Sequence, residues 1–195
     1  MASRETQALE VAQRDGRRLR VTFEWRGDRF THHFDVLEGG QVHRCLVAIE
    51  GQDDEPWPAS PALQQLSVEA TTPAGGVALL IGMAGRSHWS LSVERESQSA
   101  SLLFDVAARV QSLPRCLGSR YQACLPGAVA ASQQVSFAIG AAVGPLYLRA
   151  VSAGQPAPDL VLDGDQVAVA FDDLTIARYP TTLRWKYRVG LGVGE

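Results

Sequence analysis

Apolar and polar side chains alternate with a period of two along most of the chain, which is typical of β-strands that bury one face. The alternation runs through residues 19–25 and resumes through residues 30–36. Between them, Gly27 and Asp28 suit a two-residue hairpin turn. In this register one face of both strands is apolar. The predicted partners on it are Trp25 with Phe30, Phe23 with His32, and Val21 with Phe34.

A third strand is expected after the turn at residues 38–40, across residues 41–51. Pairing Val36 with His43 sets its register. An Arg20–Asp35–Arg44 ladder of charges is then expected on the polar face, where exposed pairs contribute at most about 1 kcal/mol each. On the other face, the predicted partners are Phe34 with Cys45 and His32 with Val47. Upstream, a further hairpin strand is expected around Asp15 and Gly16.

A second series of alternating segments follows the acidic, proline-rich residues 51–62, which are predicted to be a loop between two meanders. Residues 111–133 lack a clear period and are predicted to be an irregular crossover, and more strand patterns follow them. Many short strands at this spacing favour an all-β fold. We expect a single β domain over residues 1–195, with little helix, built as an antiparallel β-sandwich or a flattened β-barrel.

Charge and composition exclude several classes of function. The 195 residues carry a formal net charge of −3, so the basic excess typical of nucleic-acid binding is absent. No apolar run is long enough for a spanning helix, and the first residues do not resemble a secretory signal. Three cysteines without CxxC spacing fit a reducing compartment. We therefore expect a soluble cytoplasmic protein, and the arginine-rich composition is typical of a bacterial genome rich in GC.

Residues 85–88, Gly-Arg-Ser-His, begin like the nucleophile elbow of a serine hydrolase. That elbow requires a second glycine two residues after the serine, where this chain has Trp89, and a helix should follow. The residues after Ser87 alternate instead with period two. A hairpin turn at Gly85 and Arg86 is therefore predicted, with Gly82 opposite Trp89, whose indole is expected to cover the glycine.

The opposite face of this hairpin carries the main candidate site. His88 and Ser90 share that face, and pairing Val93 with Leu102 on the next strand places Ser90 opposite Asp105, with Arg109 further along. Such a group of polar side chains could bind a ligand. A nucleophilic triad is disfavoured, because strand neighbours present their side chains roughly in parallel and no backbone oxyanion hole is evident.

Two loop residues extend the candidate ligand-binding site. Arg86 lies at the hairpin turn, and Trp57 lies between two prolines in the acidic loop. Its indole either stacks against a sugar-like ligand or plugs the end of the fold. The neighbouring carboxylates could bind sugar hydroxyls; they are Asp53, Asp54 and Glu55.

No metal site or cofactor is predicted. His32 and His43 would lie about 13 Å apart along the predicted sheet, too far to share one ion, and His33 points to the opposite face. A hydrogen-bonded core histidine at His32 is the better interpretation. Residues 163–165, Asp-Gly-Asp, favour a hairpin turn over a calcium loop.

These patterns favour a non-enzymatic β domain that binds a small ligand or a partner protein, and that itself forms a homodimer through a sheet face or edge. The alternative is a β-fold hydrolase or lyase acting on a carbohydrate-like substrate, with His88 and Asp105 as acid and base. An open, concave pocket with His88 within hydrogen-bond reach of Asp105 would favour the enzyme, whereas burial of both groups would argue against it.

Overall fold

The computed structural model describes residues 5–52, 55–69, 76–139, 145–152, 158–171, 174–176 and 178–192. In this part of the chain there are fifteen β-strands and no helix. The strands are β1 (Gln7–Ala12), β2 (Arg18–Arg26), β3 (Arg29–Glu38), β4 (Gln41–Ala48), β5 (Gln65–Glu69), β6 (Val77–Ala84), β7 (Ser87–Glu96), β8 (Ser101–Val110), β9 (Gly118–Ala123), β10 (Val129–Ala131), β11 (Gln134–Phe137), β12 (Leu146–Val151), β13 (Asp159–Asp163), β14 (Gln166–Ala170) and β15 (Thr181–Leu191).

Two antiparallel sheets pack face to face around one hydrophobic core, which confirms the predicted β-sandwich over a closed barrel. The seven-stranded sheet has the order β1-β2-β3-β4-β9-β14-β13. The eight-stranded sheet has the order β10-β11-β12-β15-β8-β7-β6-β5. The two predicted meanders are β1–β4 in the first sheet and β5–β8 in the second. Alternate apolar side chains from each sheet fill the space between them.

The predicted hairpin of β2 and β3 is confirmed at all three apolar pairs, and β1 forms the expected upstream strand. Between β3 and β4, the predicted register is correct from their shared turn back to Asp35, which pairs with Arg44. A shift between Phe34 and Asp35 then places Phe34 opposite Leu46 instead of Cys45. His33, rather than His32, is opposite Val47. A β-bulge inserts one residue, so an uninterrupted alternation cannot reproduce the pairing beyond it.

The predicted charge ladder forms only in part, because Arg44 pairs with Asp35 as predicted whereas Arg20 pairs with another residue. Asp35 accepts a hydrogen bond from Arg44 Nε at 2.5 Å. Arg20 is opposite Asp35 in the register, but its Nε donates to Glu10 Oε1 at 2.6 Å. The additional strand β1 supplies this carboxylate, so Arg20 pairs away from Asp35.

The hairpin of β6 and β7 is confirmed, with Gly82 opposite Trp89 and Ser87 in an ordinary strand position. The predicted pairing of β7 with β8 is wrong by two residues. Val93 is opposite Phe104 rather than Leu102, and Ser92, not Ser90, is opposite Asp105. The turn is shorter than expected, because Glu96 already pairs with Ser101. A shift of two leaves every side chain on its predicted face.

The stretch 111–133, expected to be irregular, contains two strands. β9 lies between β4 and β14 and brings the chain back to the seven-stranded sheet, while β10 forms the edge of the other sheet. In β9, Ser119, Tyr121 and Ala123 are buried and alternate with half-buried residues. The strand is only six residues long and carries polar side chains on both faces, which hides its period.

Candidate functional site

The four polar residues predicted to form a site lie on the outer face of the eight-stranded sheet. His88 and Ser90 are exposed on β7, and Arg109 is exposed on β8 directly opposite His88. Asp105 lies on the same face of β8, opposite Ser92. The sequence therefore predicts the shared face, and the structure brings His88 and Arg109 together.

The structure does not bring His88 and Asp105 together. His88 lies four residues along β7 from Ser92, and Ser92 is the residue opposite Asp105. Four residues of a strand correspond to a distance of about 13 Å. Asp105 accepts a hydrogen bond from Arg184 Nε at 2.6 Å and lies 2.7 Å from Lys186 Nζ. Partial burial raises the pKa of Asp105, but these hydrogen bonds outweigh it and the pKa is lowered. This geometry does not support an acid–base pair of His88 and Asp105.

The two loop residues lie near the same end of the sandwich. Arg86 is exposed at the turn between β6 and β7. Trp57 is half-buried and packs edge-on against Trp89, with 6.2 Å between ring centroids. Its indole therefore contacts the β6–β7 hairpin, and part of the ring stays exposed. Of the neighbouring carboxylates, Glu55 bonds to the backbone of Gln52 at 3.0 Å, and Asp53 and Asp54 lie outside the described residues.

Beside the polar residues, β6 presents an apolar row to solvent, which we call the β6 stripe. Its members are Leu79, Ile81 and Met83, whose exposed fractions are 44%, 53% and 49%. The neighbouring outward positions on β7 and β8 hold small side chains, Ser90 and Ala107. An open depression of about 570 Å³ lies at one end of the stripe. It is lined by Gln64, Gln65, Ile81, Gly82, Met83, His88 and Trp89.

Gly82 lies in the lining of this depression, and its missing side chain leaves room for the neighbouring chain. The chain at residues 62–64 crosses directly over it, and a Cβ at residue 82 would lie 2.7 Å from the Cα of Leu63. The atoms nearest to this position thus belong to residues 62–64 and not to the Trp89 indole. The side chain of Gln64 completes the crossing, because its Oε1 accepts from the Met83 N–H at 2.7 Å and its Nε2 donates to the Met83 carbonyl at 3.1 Å.

A second polar region, which the sequence analysis missed, lies at the end of β3 and β4 in the other sheet. A cavity of about 290 Å³ is lined there by Arg26, Gly27, Arg29, Thr31, Ala48, Glu50 and Gly51. We call it the Glu50 cavity. Burial raises the pKa of Glu50 to about 7, although the Thr31 hydroxyl donates a hydrogen bond to the carboxylate. The Glu50 Oε2 atom is buried and has no hydrogen-bond partner among the described residues.

The cations near Glu50 have other acceptors. Arg29 is only 3% exposed, and its Nε donates to Asp28 Oδ1 at 2.6 Å while its Nη2 donates to the Gln52 carbonyl at 3.1 Å. Arg26 Nη2 donates to Glu24 at 3.3 Å. No sequence pattern marks Glu50 as unusual, because its environment is created by the turn at residues 27–28 and by residues 51–52.

The histidines that were considered as metal ligands are separated by the fold. His32 faces the core, where its Nε2 shares a hydrogen bond with the Tyr121 hydroxyl at 2.9 Å. His33 lies on the other face, 3.4 Å from Asp35 Oδ2. Cys45 is buried and donates to the His43 carbonyl at 3.1 Å. His32 is thus a hydrogen-bonded core histidine, as predicted.

Comparison with known protein families, curated proteins and solved structures found no match for this chain. Among the described residues, no helix has the length and apolar character needed to cross a membrane.

Proposed function

We propose that this chain is a non-enzymatic binding domain whose partner is a second copy of itself, bound through the outer face of the eight-stranded sheet. The observation that carries the proposal is the β6 stripe, in which three successive outward positions of an inner strand are large, apolar and about half exposed. Single exposed apolar residues are common, but a contiguous row beside polar residues is typical of an interaction surface.

Over β6, β7 and β8 the pattern of this face is self-complementary; on β15 the same row holds Arg184, whose guanidinium is bonded to Asp105. A two-fold axis that runs across the strands through Ile81, Ser90 and Ala107 would place two copies face to face. Leu79 of one copy then lies against Met83 of the other, so the two stripes cover each other. The small side chains of Ser90 and Ala107 at the axis allow the two sheets to approach closely.

The same axis places opposite charges against each other. Arg109 lies two residues from Ala107 in one direction along β8, and Asp105 lies two residues away in the other. Arg109 of one copy is therefore brought opposite Asp105 of the second copy. Within the described part of the chain Arg109 forms no ion pair, whereas Asp105 already holds Arg184 and Lys186. The added guanidinium would extend a charge network that the face already has.

The size of the face is close to that of such an interface. Strands β15, β8 and β7 have ten or eleven residues, whereas β6 has eight and β5 has five. At about 3.3 Å of length and about 4.8 Å of width per residue, the five strands cover about 700 Å², slightly less than the roughly 800 Å² that one partner of an ordinary specific interface buries. The depression beside His88 would lie under the second copy, where Ile81 and Met83 already form its wall.

The test is the dependence of molar mass on concentration, measured by analytical ultracentrifugation. We expect a reversible dimer for the unchanged chain and a monomer for Ile81→Arg, because the substitution places a charge in the apolar contact between the two stripes. Val42→Arg is the matched control, since Val42 is 58% exposed on β4 of the other sheet and should leave the dimer intact. Arg109→Ala should weaken the dimer several-fold and reduce its sensitivity to salt.

Two results would overturn the proposal. One is a monomer for the unchanged chain at every concentration up to the solubility limit. The other is a dimer that Ile81→Arg and Val42→Arg affect equally, which would place the contact elsewhere.

A further inference from the structure

We propose that Cys45 and Cys124 form a redox-sensitive site, in which oxidation by a peroxide closes a disulfide between strands β4 and β9. The site lies in the seven-stranded sheet, away from the face proposed for dimerisation, and neither proposal depends on the other. Three observations support it: the two cysteines are opposite each other, their side chains share one face of the sheet, and only one of them is exposed.

The two cysteines are partners across neighbouring antiparallel strands. The ladder between β4 and β9 reaches Leu46, which pairs with Ala123. One residue further, the Cys124 N–H donates a hydrogen bond to the Cys45 carbonyl at 2.9 Å, which continues the same register. Residues paired by such hydrogen bonds have Cα atoms about 5.5 Å apart, and disulfides join Cα atoms that are about 4.4–6.8 Å apart. The backbone separation therefore suits a disulfide.

Cys45 is the residue that the β-bulge inserts into β4, so it has no partner on β3. Its side chain follows the ladder with β9 instead, in which directly opposite residues project to the same face. The charged groups that act on its thiol are Asp35 and Arg44, which are bonded to each other on the outer face of the sheet. The Cys45 thiol also interacts electrostatically with the Cys124 thiol. Both thiols therefore lie on the outer face, next to each other.

Unequal exposure gives the two thiols different roles. Cys124 is exposed, so a peroxide reaches its thiolate first and transfers one oxygen atom to the sulfur, which gives a sulfenic acid and releases hydroxide. Cys45 is buried, and burial raises the pKa of its thiol to about 12, so it stays protonated and out of reach of the peroxide.

The second step joins the two sulfur atoms. The Cys45 sulfur attacks the sulfenic sulfur of Cys124, so that an S–S bond forms, the S–O bond breaks and the thiol proton leaves with the oxygen as water. Its position opposite Cys124 compensates for the weak nucleophilicity of a protonated thiol, because the reaction is intramolecular. Overall, two thiols and one peroxide give one disulfide and two waters.

The disulfide would reinforce the shortest strand pairing of this sheet. β4 and β9 share three register pairs, fewer than any other neighbouring strands described in the seven-stranded sheet. The closed segment contains β5–β8, and a disulfide that closes a long loop removes the most entropy from the unfolded chain. Oxidation should therefore stabilise the fold. Because Cys124 is exposed, we expect a small thiol to reduce the bond again.

The experiment treats the reduced full chain with hydrogen peroxide in native buffer and maps the products by mass spectrometry without reductant. We expect peptides joined through Cys45 and Cys124, which dithiothreitol separates, and a thermal unfolding midpoint several degrees higher in the oxidised chain. In denaturing urea, where the fold no longer aligns the thiols, the same treatment should give all three possible pairs of cysteines.

Variants assign the role of each thiol. Cys124→Ser should abolish both the crosslink and the thermal shift. Cys45→Ser should stop the oxidation at Cys124, where dimedone traps the sulfenic acid. Cys116→Ser is the matched control and should form the same disulfide as the unchanged chain, since Cys116 lies at the other end of β9 and donates to the Trp57 carbonyl at 3.2 Å.

Four results would overturn the proposal. The first is oxidation of Cys124 to a sulfinic acid while Cys45 remains a thiol. The second is a disulfide in the native chain that includes Cys116, and the third is a disulfide between two chains only. The fourth is the same mixture of pairs in native buffer and in urea, which would show that the fold does not align Cys45 with Cys124.

Discussion

His32 and Tyr121 share a hydrogen bond of 2.9 Å, measured from Nε2 to the hydroxyl, at the centre of the sandwich. The Tyr121 hydroxyl also bonds to the hydroxyl of Tyr187. Close by, the Trp185 indole N–H donates to Ser119 Oγ at 3.1 Å. All five residues are buried, so these bonds connect the two sheets through polar atoms inside an apolar core. Buried polar groups that are satisfied in one arrangement only favour a unique packing.

The environment of His32 predicts a pH dependence of stability. Burial, assisted by the neighbouring His33, lowers the pKa of His32 from 6.5 to about 3. The unfolded chain therefore binds a proton that the folded chain excludes, and stability should fall as the pH decreases from 6.5 towards 3, by about 1.4 kcal/mol per unit. His32→Gln should remove this slope in urea denaturation, whereas His43→Gln should retain it. An unchanged slope in His32→Gln would contradict the prediction.

Glu50 should produce the opposite slope. Burial raises its pKa from 4.5 to about 7, so the folded chain binds the proton more tightly, and stability should fall as the pH rises through this interval. Glu50→Gln should therefore be more stable than the unchanged chain at pH 8, by about 1–3 kcal/mol. The two effects oppose each other between pH 4.5 and 6.5. The double variant should show a flatter profile than either single variant, and additive slopes would confirm that the sites are independent.

Ser119→Ala should destabilise the fold by about 1–3 kcal/mol, because it leaves the buried Trp185 indole N–H without its acceptor. The measurement is the free energy of unfolding in urea, monitored by tryptophan fluorescence. Ser136→Ala removes a hydroxyl from a half-buried position on β11 and should cost less. Equal costs for the two variants would show that the Trp185 bond contributes little.

Gly82→Ala should destabilise the chain by more than about 2 kcal/mol, since the new Cβ would meet the backbone of Ala62 and Leu63. Gly127→Ala is the matched control: its Cβ would meet no atom within 4 Å, and only the positive φ of 72° opposes it, at about 1 kcal/mol. Thermal unfolding of both variants measures the difference. A cost at residue 82 no greater than at residue 127 would exclude the proposed close approach.

The cysteines should react with a thiol reagent in a fixed order. Cys124 is exposed, whereas burial raises the pKa of Cys45 to about 12 and also raises the pKa of the half-buried Cys116. In the native state Cys124 should therefore be modified first, and Cys45 only after unfolding. Mass spectrometry of peptides after brief labelling tests the order. Early labelling of Cys45 would show that its strand opens readily.

The sequence could predict the hairpin of β2 and β3 because a two-residue turn leaves one register that buries all the apolar side chains. It failed at the bulge after Phe34, since β3 is buried on nearly all its positions and burial gives no sign of an inserted residue. The pairing of β7 with β8 failed for another reason. A shift of two residues preserves the face of each side chain, so only the length of the turn distinguishes the alternatives.

For the candidate sites too, alternation determines which face a side chain lies on, whereas the register determines which side chains are close together. The common face of His88, Ser90, Asp105 and Arg109 follows from alternation alone, and it was predicted correctly. The distance between His88 and Asp105 depends on the register, and that register was wrong. Glu50 could not be predicted, because its burial results from contacts among β3, the end of β4 and the turn at residues 27–28.

Gln64 closes the open side of β6 where β5 begins. Its amide occupies both the N–H and the carbonyl of Met83, the groups that a further strand would otherwise use. An extended segment from a misfolded or neighbouring chain thus finds no free backbone at this position of the sheet. A single side chain in this way caps the part of β6 that extends beyond β5, where a strand could otherwise add to the sheet.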